Sequence, residues 1–115
     1  VLRAYIESNL AFMRDHRNNV IAMIEIARSA EGRRIYSGDP AVINAVGALE
    51  HVLSGLQTAG QFRPDFNPQV MAIAIRAAIE AASPKLASDP AFDIDNYASQ
   101  IITIFDLATR LEGKP

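Results

Sequence analysis

The chain has 115 residues, half of them hydrophobic and 21% charged, which is the make-up of one globular domain with a modest core. The net charge is −2 with no long block of one sign, so the basic footprint of a nucleic-acid-binding domain is missing. There is no cysteine, which excludes a disulfide framework and a cysteine-based metal site and fits a cytoplasmic protein. No apolar run reaches the length of a membrane span, and no membrane partner is expected.

The spacing of apolar residues predicts an all-α fold of five helices without a strand. The first covers 1–15. With residues about 100° apart on a helix, Val1, Leu2, Tyr5, Ile6, Phe12 and Met13 share one face, and Arg3, Glu7 and Arg14 lie opposite. It starts with no capping residue ahead of it, so the chain is expected to be a piece of a longer protein. Asp15 to Asn19 break the pattern, and Arg14, His16 and Arg17 make a small basic spot. The second helix, 18–31, carries Val20, Met23, Ile24, Ala27 and Ala30 on one face and stops near Gly32. The third, 40–59, has Asp39 placed as cap and Pro40 at its first position, where a missing N–H does no harm. Val42, Val46, Leu49, Val52, Leu53 and Leu56 form its stripe, with Asn44, His51 and Thr58 on the far side.

The third helix ends at Gly60, and a turn with Phe62 and Phe66 leads to Asn67-Pro68, the start of a fourth helix over 68–82. Phe62 and Phe66 are expected to plug the end of the bundle, and Arg63 and Asp65 to bond within the turn. Ser83-Pro84 is read as a stop, because a residue before proline avoids helical geometry. Residues 84–92 are then a linker with at most a short turn at Asp89-Pro90. A fifth helix covers 93–112, with Asp93 as cap and Gly113 past its end.

The last two helices carry more apolar surface than one core can hide. The polar stripe of 68–82 is only Gln69, Arg76 and Glu80. The helix over 93–112 has a polar side, Asp95, Ser99, Asp106 and Arg110, and its other half is crowded with isoleucine and aromatic residues. A small domain has no second interior layer, and large exposed apolar patches mark partner surfaces. The expectation is a homodimer in which these helices build a four-helix bundle about a two-fold axis, with Ile73, Ala77, Glu80, Ala81, Tyr97, Ile101, Ile104, Phe105 and Ala108 at the seam. The alternative is a monomer with 68–82 as its central helix.

Catalytic and cofactor signatures are absent. There is no Gly-rich phosphate loop, no nucleophile elbow and no metal-ligand spacing around the two histidines, His16 and His51. Asp89, Asp93 and Asp95 lack the glycine and terminal glutamate of a calcium loop. Neither an enzyme nor a cofactor or metal protein is expected. Asn9 stands out as an amide at the centre of the apolar face of the first helix, among Tyr5, Leu2, Phe12 and Met13, either a satisfied structural amide or a polar anchor in a greasy pocket. Arg76 and Glu80, four apart, could pair with each other, line the dimer seam or line a pocket mouth. Gln57 borders the stripe of the third helix and could turn inward or stay solvated.

The joint Gly60-Gln61-Phe62-Arg63 with Asp65, after Gly55, together with Tyr5-Ile6 through Leu10, Phe12-Met13-Arg14 and His16, and Phe105-Asp106 with Ala108-Thr109-Arg110, resembles the C-terminal regulatory domain of tetracycline-repressor-type (TetR-family) transcription factors. Arg17 stands where relatives often have proline. The resemblance covers nearly the whole chain, 1–115, as one effector-binding and dimerisation domain. It implies an N-terminal helix-turn-helix domain outside this sequence that binds operator DNA as a dimer. It also implies a small, hydrophobic effector in a pocket among the first four helices, whose binding releases DNA. The residues expected to line that pocket are Tyr5, Asn9, Phe12 and Met13 from the first helix and Met23 and Ala27 from the second. Leu49, Leu53 and Gln57 come from the third, and Met71 and Ile75 from the fourth. The rival reading is a helical dimerisation module without a pocket.

Overall fold

The computed structural model describes residues 1–28 and 40–111, without the side chains of 27–28 and 40–43. The proposed cap Asp39, the stripe residue Val42, the side chain of Ala27, the expected stops at Gly32 and Gly113 and the far end of the helix expected over 18–31 lie outside the described residues. The described residues are all-helical in their regular structure: α1 (Leu2–Asp15), α2 (Arg17–Arg28), α3 (Pro40–Thr58), α4 (Pro68–Glu80), α5 (Ala82–Ser88) and α6 (Ile94–Thr109). Three pairs organise them: α1 lies along α6, α3 and α4 form a hairpin, and α2 packs on α5.

α1 presents two neighbouring rows four residues apart in step. Leu2, Ile6 and Leu10 form the buried row. Tyr5, Asn9 and Met13 form a half-buried row beside it, so Asn9 flanks the apolar face and is not at its centre. α1 and α2 are separated by His16 alone, whose amide still bonds the Phe12 carbonyl at 3.0 Å and whose ring stacks on Phe12 at 4.1 Å. Arg17 is not part of a loose basic spot. Its Nη2 donates to the carbonyls of Leu86, at 2.9 Å, and Asp89, at 3.4 Å. A cation at the end of α5 meets the helix's negative pole and its unsatisfied carbonyls.

The Gly60 joint has a defined chemistry. Gly60 adopts φ 76°, a left-handed conformation that glycine enters without steric cost. The Gln61 amide reaches back to the Leu56 carbonyl at 2.9 Å and the Gly60 amide to Gln57 at 3.0 Å. This pair of bonds is the Schellman motif, which satisfies the last carbonyls of α3. Asn67 then opens α4, its side chain accepting from the amides of Gln69, at 2.9 Å, and Val70, at 3.1 Å, with Pro68 next to it. Arg63 pairs with Asp65 at 2.7 Å, and that bond holds the Asp65 carboxyl below its ordinary pKa.

Three boundaries differ from the sequence expectation: the break expected over 15–19 shrinks to His16, with α2 starting at Arg17, and two more lie further along. Ser83-Pro84 does not end the helical region. It lies in the first turn of α5, where proline lacks no hydrogen bond it would otherwise make. Residues 84–88 are therefore helical and not linker. The last helix stops at Thr109 and not at 112, because Arg110 turns extended and pairs with Phe62 in an antiparallel bridge. The Arg63 amide donates to the Thr109 carbonyl at 2.9 Å in the same place. The α3–α4 joint and the end of α6 are thus tied together by backbone.

The whole measures 46 × 31 × 17 Å. The thin dimension is less than two helix diameters of roughly 10–12 Å each. Few side chains therefore have neighbours all round, and those that do form the core: Ile6, Leu10, Leu53, Ile75, Ile79 and Leu86 are almost wholly inaccessible.

Candidate functional site

The half-buried row of α1 faces α4, and a polar cluster forms where they meet. Arg76 Nη1 donates to the Tyr5 hydroxyl oxygen and to Asn9 Oδ1, both at 3.2 Å, and Nη2 donates to Glu80 Oε1 at 2.8 Å. Asn9 spends its own amide hydrogen on the Tyr5 carbonyl at 2.8 Å. The Arg76 side chain is 16% exposed and Glu80 32%, so this is not the surface ion pair that i, i+4 spacing alone suggests. Burial works against the guanidinium charge, but the bonds to Glu80 and Tyr5 outweigh it, and the Arg76 pKa stands above its ordinary value. Arg76 Nε has no partner and is shielded from solvent.

This cluster borders a cleft of about 390 Å³ between α1, α2, α4 and the start of α5. Asn9, Phe12 and Met13 line it from α1, Val20, Met23 and Ile24 from α2, Arg76 and Glu80 from α4, and Ser83 from α5. Four of the residues expected in a pocket, Asn9, Phe12, Met13 and Met23, do meet here. Phe12 and Met23 are rim residues and not interior ones, each 60% exposed, because they stand off the Leu2–Ile6–Leu10 and Val20 positions that face the core. The other expected residues go elsewhere. Tyr5, Leu49 and Leu53 line a separate apolar cavity of about 140 Å³ beside Phe62. Ile75 is wholly buried and Met71 packs half-buried against the core, and neither borders either cavity. Gln57 turns inward, but to the joint: Nε2 donates to the carbonyls of Arg63, at 3.2 Å, and Phe66, at 2.9 Å.

A larger groove of about 520 Å³ runs beside the N-terminal half of α1, past Arg3, Phe62, Asp106 and Arg110. It contains none of the expected pocket residues. Among the described residues, no three His, Cys, Asp or Glu side chains gather closely enough to hold a metal ion. Among the described residues, no helix is long and apolar enough to cross a membrane.

The expected seam residues also divide. Ile73 (51%), Ala77, Ala81 and Ile104 (57%) are exposed, with Val70 and Leu107 added to them. Ile101 and Phe105 are buried in the chain's own core, since α6 turns the Ile94, Ile101 and Phe105 stripe inward. Tyr97 and Ala108 are half-buried. The Tyr97 hydroxyl donates to the Ala78 carbonyl of α4, and burial pushes its pKa up. Glu80 belongs to the Arg76 cluster.

The reading of sequence alone missed Arg76 as the centre of the site, and Val20, Ile24 and Ser83 as its lining. The available signal was the Arg76 and Glu80 interruption in an otherwise apolar helix, together with Asn9 on the matching side of α1. No protein-family model, curated protein or solved structure matches the chain.

Proposed function

We propose that this chain is the effector-binding and dimerisation domain of a TetR-type transcriptional regulator working in the cytoplasm. The effector site is the cleft between α1, α2 and α4, and it takes a small hydrophobic molecule. The exposed apolar faces of α4 and α6 meet their counterparts in a second copy. DNA is bound by a helix-turn-helix domain outside this sequence, and an effector that prefers one of two dimer arrangements changes the spacing of the paired DNA-reading helices. No catalytic role is part of this reading. The observation that carries it is the cleft's make-up: an apolar wall of Phe12, Met13, Val20, Met23 and Ile24 with a converging polar group at Arg76. Few polar groups on a mostly apolar wall is the general composition of small-molecule sites.

A thermal-shift screen of apolar compounds tests it. A ligand at 100 times its Kd stabilises the folded state by about 2.7 kcal/mol, which raises Tm by about 10 °C in a domain of this size. The rise should saturate and should shrink when Phe12 or Met13 is replaced by alanine. A screen in which no compound class raises Tm rejects the effector. The exposed Val70, Ile73, Ile104 and Leu107 also favour a second reading, a helical dimerisation module without a ligand. That reading is the one left standing if the chain dimerises and the screen stays silent.

A further inference from the structure

Two hydrogen-bond donors on residues that line the cleft lack a good acceptor. Arg76 Nε is buried and unpartnered, although Nη1 and Nη2 of the same guanidinium reach three oxygens between them. The Ser83 hydroxyl is directed at Met13 Sδ, 3.6 Å away, and a thioether is a weak acceptor. A buried donor left unpaired is costly, so a molecule that brings an acceptor to it binds more tightly than one that does not.

Charge narrows the chemistry further. Among the described residues lining the cleft, Arg76 and Glu80 are the only ionised ones, and they neutralise each other at 2.8 Å. A carboxylate ligand would meet the Glu80 carboxylate with no second cation to offset it. An ammonium would stand beside the Arg76 guanidinium and offer donors to donors. A neutral oxygen acceptor on an apolar body meets neither objection. Reaching Nε requires lining side chains to move, and two of them, Met13 and Met23, are unbranched and change rotamer readily.

We infer that the cleft selects a neutral carbonyl compound, such as a ketone, ester or lactone on an apolar chain, whose oxygen accepts from Arg76 Nε and the Ser83 hydroxyl. This rests on the effector reading of the same cleft.

Calorimetry of the chain with 2-nonanone, nonanoate and nonylammonium tests the selection. The ketone is expected to bind about tenfold more tightly than either ion, because nonanoate meets the Glu80 carboxylate and nonylammonium brings no acceptor to the unpaired donor. Arg76→Met should weaken the ketone and favour nonylammonium, because Glu80 is left without its cation, and Ser83→Ala should reduce the ketone's advantage. The carbonyl stretch of bound, carbon-13-labelled 2-nonanone should fall below its position in hexane. If Arg76→Met does not fold, Ser83→Ala and the carbonyl stretch decide. Equal or tighter binding of either ion, a preference untouched by the substitutions, or a hexane-like stretch overturns the inference. If other apolar compounds raise Tm while the ketone shows no advantage, the carbonyl selection falls alone. If nothing in the wider screen binds, the effector reading falls with it.

Discussion

Asn9 and Arg76 set two effects against each other at the scale of single residues. Replacing Asn9 by leucine would bury more apolar surface, a gain of about 1 kcal/mol at a half-buried position. It would also take one acceptor from the Arg76 guanidinium, which is mostly buried and already has Nε unpaired. Hydrogen bonds to charged groups are worth about 1.5–3 kcal/mol, and the partner left behind bears the desolvation loss. The second effect is larger, so Asn9→Leu is expected to lower stability by about 1–2 kcal/mol in urea unfolding. A variant more stable than the parent would show that Arg76 finds water or another acceptor without Asn9. The sequence displayed both residues as oddities, an amide on an apolar face and an arginine in an alanine-rich helix. It could not display that they touch, because 67 positions separate them and a helical wheel ranks the faces of one helix without saying which helix lies opposite.

At the scale of elements, the capping residues were the most legible part of the chain. Asn67 and Asp93 each accept from an amide one turn into their helix, as their chemistry dictates. Gly60 ends α3 by the route open to glycine. A Cβ built on Gly60 would meet nothing within 4 Å, so any cost of substitution there is conformational and not steric crowding. Gly60→Ala is expected to cost about 1 kcal/mol, and Gly60→Asn less, since asparagine tolerates the left-handed region. Equal losses in thermal unfolding would contradict this account. Pro84 shows where the same kind of reasoning fails. Proline is a stop signal only where it would break an i→i−4 bond, and at the third residue of α5 there is none to break. The pattern before Ser83 could not reveal that a new helix had already begun at Ala82. The end of α6 was illegible for another reason: its last turn is decided by a backbone partner, Phe62, far away in sequence.

At the scale of the molecule, the 17 Å thickness explains why α4 and α6 keep apolar faces outside. α4 buries Ala72, Ile75 and Ile79 and leaves Val70 and Ile73 on its outer side, and α6 does the same with Ile104 and Leu107. The proposed dimer would cover these faces. An interface of standard size removes about 800 Å² per partner from water, and introducing a charge at its centre should prevent that. Ile73→Glu and Ile104→Glu are therefore expected to convert a dimer into a folded monomer in size-exclusion chromatography with light scattering. Because both side chains are half exposed in a single chain, the variants should keep their helical circular dichroism. A wild-type monomer at micromolar concentration would dismiss the dimer outright.

The backbone bond from Arg63 to Thr109 bears on how the molecule comes apart. It closes a neck, with α4, α5 and α6 all strung between its two ends. A segment fastened at both ends opens as one cooperative unit, so fraying of the last turn of α6 should loosen the α3–α4 joint as well. Amide exchange would register this. The Arg63 N–H lies in a turn, where exchange is ordinarily fast, yet it should share the protection of the inner amides of α6. Protection no greater than that of its neighbours in the turn would mean that the two ends open independently. The aromatic joint is, in mechanical terms, a clasp: whatever turns α6 also pulls on the hairpin.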